Sequence, residues 1–375
     1  MEKILNRFKY TLRTDLREAP LLSLNLHRMR LPREIVVGNG SIRLVGDVCE
    51  SLGFLKSALV VTGPKTIHIA GWEIIDTLES EGLNVQYYIV SSNSATLSDV
   101  KKAEEKIKAF RPQVVFGVGG GTKIDIAKLS SAHQSIPFIS VPTTASHDSM
   151  ASPFASIKGT GRPYSIKAQS PIAVIADTSI IMNAPYRFTA SGCGDVISKI
   201  TSTLDWKLAH EKKEEYYAQY TSSLASMSAK HIMENASLIR PGSEEGVRVL
   251  LEALVSCGVA MCIAGTSKPC SGSEHLFSHA LDLIAPKHGL HGEQCGLGTI
   301  MMAALHGIDW RAVRDTLRKV GAPTNAEEIG IKENYIIEAL VRAREIRPER
   351  YTILNEKPLT HKSAKRLAEK TEVIS

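Results

Sequence analysis

Between residues 34 and 177 short, continuously apolar runs alternate with longer segments in which apolar positions recur every three to four residues. The runs are Glu34–Val37, Ser57–Thr62, Val85–Val90, Val114–Val118, Phe138–Val141 and Ala173–Ala176. Helical patterns lie between them at Lys65–Glu81, Leu97–Phe110 and Thr122–His133. Strand, glycine turn and helix repeat as βαβ units. Because the strand segments are apolar throughout rather than at every second position, they predict a parallel sheet covered on both faces. From Ala184 the strand signals vanish and helical stretches take over, among them Gln219–Lys230, Glu244–Ala264, Ser273–Ile284 and Cys295–His306. The expected fold is therefore α/β, a Rossmann-like parallel-sheet domain over residues 31–185 followed by an all-α domain over 186–375. Residues 1–30 form an N-terminal extension, read as an extra helix or arm laid on the first domain.

A chain of 375 residues is long for one core, which agrees with two domains. With 43% hydrophobic and 22% charged residues the composition is that of a soluble globular protein. The longest charge-free run, Ala253–Ser267, is too short and too rich in small residues to span a bilayer, so no membrane insertion is expected. The extension carries Glu2, Asp15 and Glu18, and its apolar run LLSLNL is too short and too late for a signal peptide. The net charge of +6 is spread along the chain, favouring anionic small molecules over nucleic acid, for which a basic stripe interleaved with aromatics is missing. Six cysteines without a CxxC pair point to a reduced, cytoplasmic protein. Met227, Met261, Met301 and Met302 read as core packing.

The densest chemistry lies in SGSEHLFSHALDLIAPKHGLHGEQ, residues 271–294. His275 and His279 are four apart on a helical segment and emerge on one face, with His288 and His291 beyond a turn. Two imidazoles in helical register plus a third donor suit a divalent ion such as zinc, which leaves a coordination position open when three protein groups bind. Asp195, after a glycine pair in SGCGDVISKITS, reads as lying near a helix N-terminus. There it is either simply favoured by the helix dipole or the carboxylate that completes the metal site. Lys199, one turn later, points toward the same cleft. Cys193 and Cys295 are close in sequence to these candidates, but histidine and carboxylate donors suffice without them.

A second centre precedes it. Gly119, Gly120 and Gly121 stand between a buried strand and a helix, either as a tight turn or as a cradle in which amide N–H groups and the helix dipole meet a pyrophosphate. Lys123 adds a cation, and Asp125 caps or orients the loop or contacts a cofactor hydroxyl. Thr143, Thr144 and Ser146 follow the next strand where phosphates or an amide would bind, and Asp148 and Ser152 continue the polar rim. No carboxylate stands after Val85–Val90, where an acid would select NAD, so NADP is tolerated and NAD is not excluded.

With the GGG turn, the PTTASHDS loop, the GCGD segment and the histidine stretch in hand, the chain resembles the iron- or zinc-dependent polyol and alcohol dehydrogenase superfamily, and within it the archaeal sn-glycerol-1-phosphate dehydrogenase family. The resemblance covers residues 30–350. It implies one zinc per subunit in the cleft between the two domains, with Asp195, His275 and His291 as ligands. It also implies that Asp148, Asp195 and His279 touch substrate, and that Gly119, Gly120, Gly121, Lys123, Asp125, Thr143, Thr144, Ser146 and Ser152 bind NAD(P)H. His288 receives no role. The implied reaction is reduction of dihydroxyacetone phosphate to sn-glycerol 1-phosphate, the backbone of archaeal membrane lipids, with zinc as Lewis acid and His279 relaying the proton. For the substrate phosphate, Lys158, Arg162, Lys167 and Lys199 are basic residues in reach. A homo-oligomer is the default expectation, and the extension would bear on its contacts. The rivals are a glycerol dehydrogenase acting on unphosphorylated polyol, a 3-dehydroquinate synthase-like lyase, and a non-catalytic nucleotide-binding protein.

Overall fold

The computed structural model describes residues 27–158 and 164–375. Six strands form a single parallel sheet: β1 (Glu34–Gly38), β2 (Ser57–Thr62), β3 (Asn84–Ile89), β4 (Val114–Gly119), β5 (Phe138–Pro142) and, last in the sequence, β8 (Ala173–Asp177). Their order is β1-β8-β5-β4-β2-β3. The four inner strands are almost wholly buried, which is why their sequences are apolar without alternation. Alternate residues of one strand serve different cores. Ala58 and Val60 join a cluster with Ile74, Leu78 and Phe116 on one face. Leu59 and Val61 join a second cluster that continues through Phe138 and Leu250 into the helical half.

The strand order reverses direction between β2 and β4, since the chain moves outward to β3 on one side and through β4, β5 and β8 on the other. Ligands of such sheets bind at this crevice, beyond the carboxyl ends of the strands. The loops there, after Thr62, Gly119 and Pro142, are the ones the sequence marks.

Several elements differ from expectation. The segment Lys65–Glu81 holds a π-helical turn at Ile67–Gly71 before the α-helix Trp72–Ser80, and just ahead of it the Thr66 hydroxyl accepts from the Gly63 N–H (2.8 Å). A two-stranded antiparallel ribbon, β6 (Phe154–Ile157) with β7 (Tyr164–Lys167), lies between β5 and β8. Its strands are four residues each, below the length that a search for long buried runs detects. The helix expected at Gln219–Lys230 reaches Glu234, and the one expected at Cys295 begins at His291. Met227, expected in the core, is 60% exposed, whereas Met261, Met301 and Met302 are buried.

After Asp177 the described chain is helical. Its longest helix, Glu244–Ala264, has a mean hydropathy of 2.0 and on length and composition alone could cross a bilayer, so shortness is not what argues against a span. Its apolar surface is used inside the fold: two-thirds of that window is buried, and Gly258 lies against the Ala151 backbone so closely that an added Cβ would overlap it. Of the extension, residues 1–26 lie outside the described residues. His27 hydrogen-bonds to the Ile263 carbonyl (2.6 Å) at the end of that long helix, and the Arg30 carbonyl accepts from Ser170 Oγ (2.8 Å) in the α/β half, so the described end of the extension touches both.

Candidate active site

A cleft of about 740 Å³ runs between the carboxyl ends of the strands and the helical half, and both candidate centres line it. At its sheet end, Gly119 has φ 147°, a region closed to side-chain-bearing residues. This lets the Thr143 N–H donate to the Gly119 carbonyl (3.0 Å) and seat the two loops side by side. Gly120 precedes the helix Gly121–His133, whose N–H groups open onto the cleft. The buried Thr144 Oγ1 has no hydrogen-bond partner, an unmet donor and acceptor that a bound polar group would satisfy.

Other residues assigned to the cofactor are already engaged. Lys123 Nζ donates to the Ser92 carbonyl (2.6 Å), tying the helix start to the serine run after β3, and burial lowers its pKa. Asp125 takes the loop-orienting alternative: its carboxylate accepts from Ser149 Oγ and from the Ser156 N–H (3.0 Å). One turn on, the wholly buried Lys128 donates to the carbonyls of Ser149 (2.5 Å) and Phe154 (2.7 Å). Ser152 Oγ is turned onto the Phe154 carbonyl (3.2 Å). Ser146 lines the cleft. Asp125 and Lys128 thus pin the loop from 149 to 156 from below, which is structural work that leaves Asp148 at a fixed height.

Toward the other end, His275 and His279 project from one face of the helix Ser273–Ile284, their ring centroids 6.5 Å apart. His291 opens the next helix with its ring centroid 5.0 Å from that of His275. Asp195 departs from expectation. The chain turns helical directly after Pro185, so the helix is Tyr186–Ile197 and Asp195 lies in its last turn, where the dipole disfavours a carboxylate. The wholly buried Lys199 compensates. Its Nζ is 2.6 Å from Asp195 Oδ1 and 2.9 Å from Asp148 Oδ2, and the Asp148 N–H donates to Asp195 Oδ2 (2.8 Å). Burial opposes ionisation of Asp195, but the charge of Lys199 beside it holds its carboxyl well below the usual range. Asp148 is pushed the other way by burial and by the charge on Asp195. The two carboxylates and one ammonium bind the sheet half to the helical half at the floor of the cleft.

Glycines set how closely these parts meet. A Cβ on Gly192 would run into the Ala145 carbonyl, one on Gly194 into that of Gly292, and one on Gly292 into that of Ser191. The helices carrying Asp195 and His291 therefore touch backbone to backbone.

The donor atoms of Asp195, His275, His291 and Cys295 all lie within 4.8 Å of one another. His275 Nδ1 is 2.8 Å from the buried Glu274 Oε1. With Nδ1–H donating to that carboxylate, the lone pair of Nε2 is turned toward Asp195, 3.6 Å away. Burial, before any neighbouring charge, lowers the pKa of His275, His279 and His291, keeping the imidazoles in the neutral form that ligates metals. The buried Nδ1 of His279 has no partner. Nitrogen, oxygen and sulfur donors converging in this way fit one divalent ion of the zinc type.

Two participants escaped the sequence reading, and a third, Cys295, was weighed there and set aside. Cys295 follows His291 by four residues on one helix, and its donor atom joins the cluster. Glu274 and Lys128 look like ordinary helix residues until their partners are known. Of the basic residues considered for a phosphate, Lys199 is spent on the two aspartates, Lys158 is at the rim 3.4 Å from His288 Nε2, Lys167 is in β7, and Arg162 lies outside the described residues.

Comparison with known proteins agrees with this arrangement. Residues 36–185 match the iron-containing alcohol dehydrogenase family. The structure of glycerol dehydrogenase from Schizosaccharomyces pombe superposes with a TM-score of 0.75 over 92% of this chain and 92% of that one, at 22% identity, a likeness of fold. The glycerol-1-phosphate dehydrogenase [NAD(P)+] of Thermococcus kodakarensis is 53% identical over 353 residues, 93% of this chain and 99% of its own. The corresponding enzyme of Methanosarcina mazei is 52% identical over 347 residues, 92% of this chain and 97% of its own. With half its residues shared along nearly the whole length of these relatives, the chain belongs to the glycerol-1-phosphate dehydrogenase [NAD(P)+] family.

Proposed function

We propose that the chain reduces dihydroxyacetone phosphate to sn-glycerol 1-phosphate with NADH or NADPH. The observation that carries this reading is the facing of the two ends of one cleft: a glycine-cradled helix N-terminus with the unpartnered Thr144 hydroxyl, opposite the cluster of Asp195, His275 and His291. Hydride leaves C4 of the reduced nicotinamide for C2 of the ketone, and a proton joins the C2 oxygen, giving the secondary alcohol and the oxidised cofactor.

Asp195, His275 and His291 would hold a divalent ion, zinc by the character of the donors, with Cys295 beside them. Such an ion supplies Lewis-acid polarisation of the carbonyl that hydride attacks. Around it the protein's own groups divide the remaining work. Asp148 stands in the cleft with one oxygen on Lys199 and the other available to a substrate hydroxyl. His279, one turn from His275, is neutral and has an unpartnered Nδ1, so it can give a ring proton to the developing alkoxide while its other nitrogen takes one up from solvent water, leaving the ring neutral. The glycine turn brings backbone N–H groups to the cofactor's pyrophosphate.

Thr144→Val keeps the side-chain shape and removes only the unpartnered hydroxyl. It is expected to raise the KM for the nicotinamide cofactor about tenfold while leaving the unfolding temperature unchanged or slightly raised, because no internal bond is lost. An unchanged cofactor KM would remove Thr144 from the cofactor site.

The reading as a whole is tested by following NADPH or NADH oxidation with dihydroxyacetone phosphate and with dihydroxyacetone, before and after chelation. Chelator-sensitive turnover that strongly favours the phosphate ester is expected. Preference for the unphosphorylated ketone would make the enzyme a glycerol dehydrogenase, and no turnover of either by metal-loaded protein would defeat both readings. A homo-oligomer is supported by apolar side chains left on the surface, such as Tyr220 and Met227. A cytoplasmic site of action is supported by six free, buried cysteines.

A further inference from the structure

The cleft wall beyond His275 is built by Ser267, Cys270 and Ser271. Behind it stands Arg350, some 80 residues later in the chain. Its Nη1 donates to the Ser271 carbonyl and its Nη2 to Ser267 Oγ (2.9 Å). Both acceptors are uncharged, and among the described residues the guanidinium makes no ion pair. A guanidinium has five N–H donors, so about three remain. Burial and then the neighbouring Arg347 lower its pKa to about 10, so it is still a cation at neutral pH. Its charge also reaches the histidines: after burial, neighbouring cations that include Arg350 depress His275 and His279.

The other cations around this end of the cleft are spent. Lys199 is held by Asp148 and Asp195. Arg187 makes a two-pronged pair with Glu293 at 2.6 and 2.7 Å, and Lys268 is paired with Glu215. Lys123 donates to Ser92 at the sheet end, and Lys158 sits at the outer rim. An arginine without an ion pair among the described residues, fixed in orientation by the Ser271 carbonyl and the Ser267 hydroxyl and felt by Glu274, Glu349 and Asp205 only from a distance, matches a tetrahedral dianion, whose oxygens accept several charge-assisted bonds at once.

We infer that the wall formed by Arg350, Ser267 and Ser271 receives the phosphate of the substrate and is what makes the enzyme prefer a phosphate ester to a free polyol or ketone. This rests on the proposed substrate. The dihydroxyacetone end lies at the histidine cluster and the phosphate end at Arg350, so one substrate spans both.

The test compares wild type, Arg350→Ala and Arg350→Lys on dihydroxyacetone phosphate and on dihydroxyacetone, with inorganic phosphate as an inhibitor. In Arg350→Ala the KM for the phosphate ester is expected to rise about 30- to 100-fold, with inhibition by inorganic phosphate weakened in parallel. The KM for dihydroxyacetone should stay within about threefold, which also shows that the site is intact, and Arg350→Lys should recover part of the loss. Equal losses on both substrates would mean that Arg350 only braces the wall, and overturn the inference. So would an unaffected ester KM, or a selective loss produced instead by Lys158→Ala. If wild type prefers dihydroxyacetone, the substrate reading fails separately, and the inference then stands or falls on whether inorganic phosphate binds wild type and not Arg350→Ala.

Discussion

Asp195→Ala is expected to lose its metal and to turn over dihydroxyacetone phosphate about 1,000-fold more slowly or worse. Three contacts disappear with one carboxylate. The donor cluster loses its only anionic oxygen, so neutral imidazoles and a buried thiol would have to hold a dication alone. Lys199 keeps Asp148 but loses its shorter partner at 2.6 Å, and the Asp148 N–H loses its acceptor. Removing one member of a buried ion pair costs about 3–5 kcal/mol, so the unfolding temperature should fall together with metal content. Asp195→Asn separates the effects: its amide oxygen still accepts from Asp148, so it should regain part of the stability but not the metal. Metal analysis beside thermal unfolding decides it. An Asp195→Ala protein that retained a full equivalent of metal would take Asp195 out of the ligand set.

The second large effect is expected from Lys199→Met. The replacement is close in volume but leaves Asp148 and Asp195 facing each other, buried, with no counter-charge. At neutral pH the metal-free variant should be less stable by about 3–5 kcal/mol, and the sign of its pH dependence identifies the cause. In the native protein Asp195 is depressed, so its contribution is present above the unfolded carboxylate value and lost only in strong acid. Without Lys199 burial and mutual repulsion prevail, and the pair holds a proton in the folded state that the unfolded chain has released. A raised folded pKa gives stability that is fully present below the unfolded value and lost as pH rises through the folded one. The variant should therefore recover on acidification from pH 8 to 5, narrowing its gap to wild type. A gap constant across that range would show that the loss is one of packing and not of charge.

What the chain reveals before folding depends on the range of the interaction. The strands of the sheet were legible because each inner strand is buried on both faces and carries that fact in its own residues, as SALVVT and VVFGVG do. The histidines were legible because His275 and His279 share a helix face. Asp195 was recognised as a donor but placed at the wrong end of its helix. The glycines in SGCGD suggested a start, whereas they are needed in mid-helix for contact with Ala145 and Gly292, which no local pattern announces. Arg350 was invisible for the same reason: its role depends on Ser267 and Ser271, and on other groups having engaged the cations nearby.

The glycine contacts between the two ligand-bearing helices bear on how the enzyme fails when heated. Warming loosens a core first by rotamer exchange, and a site held apart by side chains drifts as they rearrange. Between Gly194 and Gly292 the contact is carbonyl against α-carbon, and the one side chain beside it is the short hydroxyl of Ser191. The offset between Asp195 and His291 cannot creep by fractions of an ångström; it stays whole until the helices separate. Heat should therefore leave no interval in which the protein is folded but its ligand cluster is deformed, and inactivation should coincide with unfolding.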